Sequence, residues 1–406
     1  MHLLLIHQAF VAPDEPGGTR HYELARHLVQ RGHRCTIITA DLSYLTGAPI
    51  SGKRRLVTEQ NLEGIRILRA YTYHSLHRSF VWRVVSFLSF MLTSVIAAFR
   101  AGQVDVVMGT TPPIFQAVSA LLVAGVRRRP FLLEVRDLWP EFAIDMGVLR
   151  NPLLINLSRG LERFLYARAT RILVNSPAYR EYLIDKGLAA HRISFVANGV
   201  DCSMFDPLAD GQAMRQIWNL NDKFVITYAG ALGMANDIST VLQAADLLRD
   251  NSRIHFVLVG DGKERPHLMA EAERLNLPNV TFAGAYPKSR MPEVLSASDA
   301  CLAILKDIPM FRTTYPNKVF DYMAAGRPTI LVIDGVIRDV IEAAQGGIFV
   351  KPGDARALAD VALRLAEEPE LATAMGLSAR GYVLEHFDRG RQAEAFATLI
   401  SNLVPV

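Results

Sequence analysis

Two series of short apolar segments, each alternating with segments of helical periodicity, constrain the fold of this chain more than any other feature. The first half contains HLLLIH, CTIIT, VDVVMG, FLLEVR and RILVNS, and the second contains KFVITYAG, RIHFVLVGDG, VTFAG, ACLAIL, PTILVI and GGIFVK. Strands that are apolar throughout are typical of parallel sheets covered by helices on both faces. The sequence therefore predicts an α/β fold with two doubly wound, Rossmann-like domains.

The length of the chain agrees with this division. Its 406 residues exceed one ordinary core and suggest two domains of roughly 150 to 200 residues each. We expect an N-terminal domain over 1–205, because turn residues and Pro207 precede a new helical segment near residue 206. The second domain is predicted over 206–375. Residues 376–406 are predicted to form helices that pack back toward the N-terminal domain.

Cysteine usage and the first residues bear on the compartment. Cys35, Cys202 and Cys301 are far apart and lack CxxC spacing, which favours a reducing compartment and argues against a structural zinc site. The opening MHLLLIHQAF lacks a basic region and a small-residue cleavage site, so we interpret it as a first strand and expect no signal peptide.

Charge is distributed unevenly between the two halves. Residues 1–200 contain 24 lysines and arginines against 14 acidic residues, whereas the whole chain contains 44 against 40. Such a basic half is expected to be drawn to a polyanion or an anionic membrane surface. No helix-turn-helix, zinc-finger or RNP-like pattern accompanies the arginines, so nucleic acid is not the expected partner. The basic positions include Lys53, Arg54, Arg55, Arg78, Arg83, Arg100 and Arg127–Arg129.

The segment FVWRVVSFLSFMLTSVIAAF, residues 80–99, is apolar enough to approach the length of a membrane span. Arg83, Ser86, Ser89 and Thr93 give it a narrow polar stripe. A buried helix of the first domain and an interfacial helix lying in the membrane surface both remain open. A true span is rejected, because the strand VDVVMG begins only a few residues later.

In open α/β sheets, ligands bind beyond the carboxyl ends of the strands. After the first strand, a loop ends in Gly17 and Gly18, which either form an ordinary turn or offer N–H groups to a phosphate. No GxGxxG occurs, so a nicotinamide dehydrogenase is not expected. The strand FLLEVR leads into Arg136 and Asp137, which form either a structural ion pair or a catalytic site with Asp137 as base.

Two glycine-rich turns in the second half, AGALGMANDI and GDGKER, predict one anion site at neighbouring helix N-termini. Lys263 follows the second turn. A further helix is predicted to start near Pro316 and to place Lys318, Asp321 and Tyr322 on one polar face. Lys318 and Asp321 form either a solvated i,i+3 salt bridge or a donor site, with lysine for a phosphate and aspartate for sugar hydroxyls. No Ser-His-Asp, HExxH or DxD pattern is present, and no metal site is predicted.

The segments PGGTRHYELARHL, LVGDG, FAGAYPKSRMPEVLSASDACLAIL and NKVFDYMAAGRP resemble, in order and spacing, glycosyltransferase family 4. These are retaining, metal-independent nucleotide-sugar transferases of GT-B fold. The EVRDLWPE segment resembles the branch that transfers amino sugars in bacterial surface-polysaccharide assembly, as L-fucosamine transferases do. The resemblance implies a UDP-sugar donor, a polyprenyl-diphosphate-linked acceptor and peripheral association with the inner face of the cell membrane. It implies no cofactor.

The resemblance also assigns residues, and it marks three departures from the family. Thr313 and Asp321 occupy the positions of the Glu-x7-Glu motif, Arg136 replaces the usual acceptor-domain histidine, and AGALGMANDI lacks the usual Arg/Lys pair. The catalytic candidates are Asp137, Arg136 and Lys318. The predicted donor-binding residues are Gly17, Gly18, Gly230, Gly233, Asp261, Lys263, Phe282, Arg312, Thr313, Asn317, Lys318 and Asp321.

Two other functions remain open. A nucleotide-binding subunit without catalytic activity would fit the departures at Thr313 and in AGALGMANDI. A nucleotide-sugar 2-epimerase would share the fold and the nucleotide, but it would need several carboxylates and histidines in its cleft, and this chain offers few.

Overall fold

The computed structural model describes residues 1–42, 50, 55–74 and 80–404. Lys53, Arg54 and Arg78 of the basic positions lie outside this part. The chain forms two compact units, neither of them a single continuous stretch. The N-terminal unit consists of Met1–Ala12, Thr19–Ala197 and Gly390–Val406, and the C-terminal unit consists of Pro13–Gly18 and Asn198–Arg389.

The N-terminal unit is built on a sheet that has eight strands within the described residues, in the order β3-β4-β2-β1-β5-β6-β7-β8. All neighbours are parallel except β3 and β4. The strands are β1 (His2–Ile6), β2 (Arg34–Ala40), β3 (Val57–Leu62), β4 (Ile65–Ala70), β5 (Val106–Thr111), β6 (Phe131–Val135), β7 (Arg171–Val174) and β8 (Ile193–Phe195).

The antiparallel hairpin of β3 and β4 was not predicted. Glu63 and Gly64 connect the two strands, and both have positive φ, 49° and 85°, which a two-residue hairpin turn with the twist of the strands requires. β3 is largely exposed and rich in polar residues, so it lacks the apolar signature of a buried strand. An antiparallel edge strand on a parallel sheet is common in doubly wound folds.

The helices of the N-terminal half are α1 (Arg20–Gln30), α2 (Phe80–Ala98), α3 (Ile114–Arg127), α4 (Glu141–Asp145), α5 (Pro152–Arg168) and α6 (Pro177–Asp185). Helices α2 and α3 pack side by side, and α5 packs against α3. The side chains of α1 contribute to a core cluster with those of β1, β2 and β5.

The C-terminal unit has a parallel sheet of six strands within the described residues, in the order β11-β10-β9-β12-β13-β14. The strands are β9 (Phe224–Ala229), β10 (Ile254–Val259), β11 (Val280–Gly284), β12 (Ala300–Ile304), β13 (Thr329–Val332) and β14 (Gly347–Phe349). The helices are α7 (Gln212–Trp218), α8 (Ile238–Leu247), α9 (Arg265–Arg274), α10 (Met291–Ser296), α11 (Asn317–Ala324), α12 (Val336–Ala343), α13 (Ala355–Glu367) and α14 (Pro369–His386).

The last helix, α15 (Arg389–Ser401), belongs to the N-terminal unit from Gly390 onward. Its residues Ala393, Phe396 and Ile400 are buried in the same core cluster as those of α1. The sequence predicted a boundary at residue 205 and, over 376–406, helices that pack back toward the N-terminal domain. In the structure the units divide between Ala197 and Asn198, and 376–389 stays with the C-terminal unit.

A parallel bridge between Val200 and Asp388 explains this difference. The amide N–H of Val200 donates to the carbonyl of Phe387, and that of Arg389 donates to the carbonyl of Val200. These backbone bonds tie the connecting segment near residue 200 to the end of α14, so both ends of the C-terminal unit are fixed at one place.

Helix α2 buries small polar side chains together with Phe90 and Ala97, and it leaves several large apolar side chains exposed. Thr93 donates a hydrogen bond of 2.6 Å to the carbonyl of Tyr71, and Ser89 accepts one of 2.8 Å from the amide of Tyr73. Three residues of the predicted polar stripe, Ser86, Ser89 and Thr93, therefore face the protein, where Ser89 and Thr93 satisfy backbone groups beyond β4, whereas Arg83 is exposed. The exposed side carries Leu88, Leu92 and Ile96, followed by Phe99, at 38%, 63%, 48% and 65% exposure.

By length and composition, Trp82–Ala101 is one helical segment within the described residues that would be able to cross a membrane. However, 39% of its apolar window is buried in the protein. Contacts with β4, β2 and α3 hold α2 against the sheet and the neighbouring helix.

Candidate functional site

The N-terminus of α11 holds a lysine whose charge is balanced by no carboxylate within the described residues. The helix begins after Pro316, as predicted. Lys318 Nζ donates a hydrogen bond of 2.8 Å to the hydroxyl of Tyr228, lies 4.0 Å from the centroid of its ring and is 3.4 Å from Asn236 Oδ1. Burial lowers the pKa of Lys318 to about 7. An arriving anion would supply the missing counter-charge.

The predicted i,i+3 partner of Lys318 binds a different cation. Asp321 Oδ1 lies 2.6 Å from Lys288 Nζ, so Lys318 and Asp321 serve separate contacts rather than one solvated salt bridge. The prediction that Tyr322 shares their polar face is wrong: Tyr322 is fully buried, and its hydroxyl accepts a hydrogen bond of 2.9 Å from the amide of Ala229. That bond anchors α11 to the end of β9.

The two glycine-rich turns lie directly against each other, as their predicted common site requires. The amide of Gly230 donates to the carbonyl of Val259, and the amide of Leu232 donates to the carbonyl of Asp261, both at 2.9 Å. A Cβ atom on Gly230 would stand 2.6 Å from Lys318 Nζ. Gly230 therefore leaves the space that the lysine side chain occupies.

The Gly17–Gly18 loop belongs to the C-terminal unit, although it follows the first strand in sequence. A Cβ atom on Gly18 would lie 3.3 Å from the Asn317 side-chain amide nitrogen. Asn317 Oδ1 is buried and has no hydrogen-bond partner among the described residues. Within this unit the loop is therefore next to the first residue of α11, where helix N–H groups lack partners in the helix.

Other predicted donor residues take part in local contacts. Asp261 Oδ1 accepts from the amide of Gly262 at 2.8 Å, Arg312 pairs with Asp307 at 3.2 Å, and the Thr313 hydroxyl donates to the carbonyl of Met310 at 2.6 Å. Phe282 packs against the core of the C-terminal unit. Lys263 is exposed, and a Cβ atom on Gly233 would have nothing within 4 Å.

In the N-terminal unit, Arg136 and Asp137 directly follow β6. Arg136 Nε donates a hydrogen bond of 2.8 Å to Thr110 Oγ1, and its Nη2 lies 3.2 Å from His7 Nε2. Burial raises the pKa of Asp137 to about 6, against the opposing effect of Arg136. A carboxylate with a pKa near 6 is ionised at neutral pH and basic enough to accept a proton.

Arg136 lies next to a buried polar cluster formed by His7, Arg20, His21 and Glu134. Burial and the charge of Arg136 lower the pKa of His7 well below its usual value, so its imidazole is neutral and accepts from the guanidinium. Glu134 Oε2 lies 2.5 Å from His21 Nε2, and Glu134 Oε1 lies 3.1 Å from Arg20 Nε. Burial alone would raise the pKa of Glu134, but His21, Arg20 and Arg136 together hold it well below its usual range. His7 is the residue of this cluster that contacts the guanidinium of Arg136.

Sequence reasoning missed three residues of these sites. Tyr228 ends a strand that looks apolar throughout, so its hydroxyl gave no separate signal. Lys288 lies in the segment AYPKSR between a strand and a short helix, where a lysine side chain is usually exposed to solvent. His7 directly follows the first strand, a position that the strand-end rule covers and that would have identified it.

Comparison with known protein families agrees with the arrangement. The model described as "Glycosyl transferase 4-like domain" matches residues 17–199, and the model described as "Glycosyl transferases group 1" matches residues 223–368. Together they match most of the chain. This chain belongs to the GT4-type glycosyltransferases. Its two Rossmann-like α/β domains are those of the GT-B fold, as the sequence predicted.

Relatives of this glycosyltransferase are distant in sequence. WcaI of Escherichia coli, whose name assigns it to colanic acid biosynthesis, is 24% identical over 82% of this chain and 83% of its own. A Campylobacter jejuni N,N'-diacetylbacillosaminyl-diphospho-undecaprenol alpha-1,3-N-acetylgalactosaminyltransferase is 24% identical over 70% of this chain and 74% of its own. The structure of Anabaena HepE in complex with UDP-glucose has a TM-score of 0.74 at 17% identity and covers 99% of this chain and 100% of HepE, which shows the shared fold.

Proposed function

We propose that this glycosyltransferase moves a sugar from a nucleoside-diphosphate donor to a polyprenyl-diphosphate-linked acceptor in the synthesis of a bacterial surface polysaccharide. The observation that carries the proposal is Lys318, a partly buried lysine at a helix N-terminus with a pKa lowered to about 7. A lysine in this state gains most from a ligand that brings negative charge, and a diphosphate brings it in compact form.

The nature of the donor follows from the groups around Lys318. We assign the diphosphate to Lys318 and to the N–H groups at the start of α11, and the ribose hydroxyls to Asp321. UDP is the favoured nucleotide because HepE, with the same fold, is described in complex with UDP-glucose. An N-acetylated amino sugar is the favoured sugar, since the named C. jejuni relative transfers N-acetylgalactosamine.

The reaction proposed is transfer with retention and without a metal. The acceptor oxygen bonds to the anomeric carbon, the bond from that carbon to the diphosphate oxygen breaks, and the acceptor proton passes to a phosphate oxygen or to a base. Lys318 and helix N–H groups would stabilise the charge that develops on the leaving diphosphate, which is the part a metal plays elsewhere. Asp137, ionised at neutral pH, is the candidate to orient the acceptor hydroxyl, and Arg136 is the candidate to bind its phosphate.

The membrane-borne acceptor is supported by the surface of the N-terminal unit. Helix α3, which packs against α2, also exposes apolar side chains: Leu122 and Val126 are 52% and 69% exposed. On α5, Leu153, Leu157 and Phe164 are also exposed. From Gly64 to Leu133 the sequence contains one acidic residue, Asp105, among its arginines. An apolar surface with basic neighbours suits the anionic inner face of a cell membrane, where we propose that the enzyme is peripherally associated.

The proposal is tested by a turnover assay with EDTA present. UDP-sugars and GDP-sugars are offered with a short polyprenyl-diphosphate-sugar acceptor to the wild type, to Lys318→Met and to the exposed control Lys351→Met. Transfer by the wild type and the control that falls at least 100-fold in Lys318→Met supports the proposal. Activity that appears only when a divalent metal is restored contradicts the metal-independent reaction.

The same assay separates the alternatives. Nucleotide binding without transfer to any acceptor favours a non-catalytic subunit of a polysaccharide assembly complex, which the departure at Thr313 would fit. Conversion of a UDP-sugar to its 2-epimer without an acceptor favours the epimerase. His21 and Glu134 are hydrogen-bonded to each other, and His7 Nε2 accepts from Arg136, so this cluster gives the epimerase little support.

A further inference from the structure

The ion pair between Lys288 and Asp321 is buried in the C-terminal unit. Lys288 is 8% exposed as a residue, and the side chain of Asp321 is 16% exposed. Lysine is almost never buried to this degree without a partner, because the ammonium loses its hydration. The 2.6 Å contact with Asp321 Oδ1 therefore holds both charged side chains in one arrangement.

Two further contacts fix the position of Lys288. Its ammonium lies 5.5 Å from the centroid of the Phe205 ring, within the range of a cation–π contact. Its amide N–H donates to the carbonyl of Glu15 at 3.3 Å, and the amide of Ser289 donates to the carbonyl of Pro13 at 3.0 Å. The backbone of Lys288 is thus tied to the segment that ends in Gly17 and Gly18, while its side chain reaches α11.

We infer that Lys288 is a positioning residue for the ribose of the donor nucleotide. It holds the Asp321 carboxylate in one orientation, so that the ribose hydroxyls donate to a fixed, charged acceptor. Hydrogen bonds to a charged acceptor are roughly twice as strong as neutral ones, provided that the acceptor is in place. This inference rests on the proposed function, because it presupposes that Asp321 receives a ribose.

The effects expected on replacing Lys288 differ between an ion pair that only stabilises the fold and one that positions Asp321 for the ribose. Both would lower stability when Lys288 is replaced, and both would change the net charge near the nucleotide. Only the positioning pair affects the part of the affinity that comes from the 2′ and 3′ hydroxyls. The ratio of the dissociation constants for 2′,3′-dideoxy-UDP and UDP isolates that part, since a change in net charge weakens both nucleotides alike.

The experiment measures this ratio by calorimetry for the wild type, Lys288→Met, Lys288→Arg and the exposed control Lys351→Met, each checked for folding by circular dichroism. Met keeps most of the length of the side chain, removes the charge and preserves the backbone bond to Glu15. We expect a ratio of about 10 or more in the wild type and the control. In Lys288→Met the ratio should fall toward about 1, and Lys288→Arg should restore part of it.

Asp321→Asn supplies a second route if Lys288→Met does not fold. It should reduce the ratio as Lys288→Met does, and the double variant should be no worse than either single one. An unchanged ratio in folded Lys288→Met overturns the inference and leaves the proposed function intact. An unchanged ratio in folded Asp321→Asn overturns the inference and also the assignment of the ribose to Asp321, while sugar transfer itself stays proposed. If the wild type binds neither UDP nor GDP, the proposed function fails, and the inference fails with it.

Discussion

Lys318 Nζ and the ring of Tyr228 are 4.0 Å apart, and the lysine also donates to the hydroxyl of the same tyrosine. Burial raises the pKa of Tyr228, so the phenol stays neutral, and it donates its own proton to the carbonyl of Ala231 at 2.7 Å. Tyr228 thus offers Lys318 a lone pair and a ring face without neutralising its charge. The lysine remains available to an anionic ligand.

The first prediction concerns protons taken up on UDP binding. The folded pKa of Lys318 is about 7, so the free protein loses this proton as the pH rises through 7. Diphosphate favours the charged lysine. Above pH 7, UDP binding should therefore take up close to one proton, and affinity should fall by up to about tenfold per pH unit. Calorimetry at pH 8 in buffers of different ionisation enthalpy measures the uptake.

Lys318→Met should abolish this uptake, whereas Lys351→Met should leave it unchanged. Proton uptake that persists in folded Lys318→Met would assign the titration to another group, such as the diphosphate itself.

A second prediction concerns the space beside Lys318. Gly230→Ala would place a methyl group 2.6 Å from Lys318 Nζ and 3.1 Å from the Tyr228 hydroxyl, so the ammonium must leave Tyr228. We expect UDP affinity to fall at least 10-fold, because a charge-assisted contact of about 1.5–3 kcal/mol is lost. Gly381→Ala is the control, since nothing lies within 4 Å of its added methyl group. Equal affinity in the two variants would mean that Lys318 does not contact the nucleotide.

A third prediction concerns the pH dependence of turnover. Asp137 has a pKa raised to about 6, so it is protonated below pH 6 and unable to act as a base there. The value of kcat/KM should fall about tenfold per pH unit below 6. Asp137→Asn should lower kcat by about 10²- to 10⁴-fold and remove this dependence, while UDP affinity stays within about twofold. If kcat/KM of Asp137→Asn still fell about tenfold per pH unit below pH 6, as expected for the wild type, the role of this carboxylate would be contradicted.

A fourth prediction concerns stability. Glu134→Leu leaves the buried side chains of Arg20 and His21 without their carboxylate. Removing one partner of a buried ion pair costs about 3–5 kcal/mol, and denaturant unfolding of the N-terminal unit should show a loss of that size. Glu293→Gln breaks an exposed pair with Arg290 and should change stability little. Similar losses in the two variants would mean that the buried cluster is not an ion-pair network in solution.

A fifth prediction concerns the exposed stripe of α2. Replacing Leu92, Ile96 and Phe99 together by serine should reduce binding to vesicles containing phosphatidylglycerol at least 10-fold, since each apolar side chain contributes about 1.5–3 kcal/mol when fully buried. Sedimentation with vesicles measures this. Leu208→Ser, which changes a side chain that is 86% exposed in the other unit, should bind like the wild type. Unchanged vesicle binding by the folded triple variant would contradict the proposed association with the membrane.

Much of the fold could be predicted because buried parallel strands carry a strong and local signal. Every apolar segment named at the outset is a strand in the structure. Strand β3 was missed because an exposed edge strand needs no apolar residues. The largely buried strand β4 and the three-residue strand β8 were also missed. The sequence of α2 left a buried and an interfacial helix open and did not indicate which apolar side chains are covered; Phe90 is fully buried, whereas Leu92 is 63% exposed.

The site was predicted less completely, because its contacts join residues that are distant in sequence. Lys318 and Asp321 drew attention by their spacing, yet their partners Tyr228 and Lys288 lie in other turns of the chain. Asp321→Ala, the obvious test of that motif from sequence, would leave Lys288 buried without its carboxylate. Loss of activity in that variant would not distinguish a binding defect from misfolding.

The segment Pro13–Gly18 has a consequence for how this protein is expressed in pieces. A gene fragment that starts at Asn198 would omit the carbonyls of Pro13 and Glu15, to which Ser289 and Lys288 donate. A fragment that stops at Ala197 would omit α15, whose side chains fill the N-terminal core. Co-expression of complementary fragments, or a circular permutant with new ends in an exposed loop, would preserve both sets of contacts where simple truncation would not.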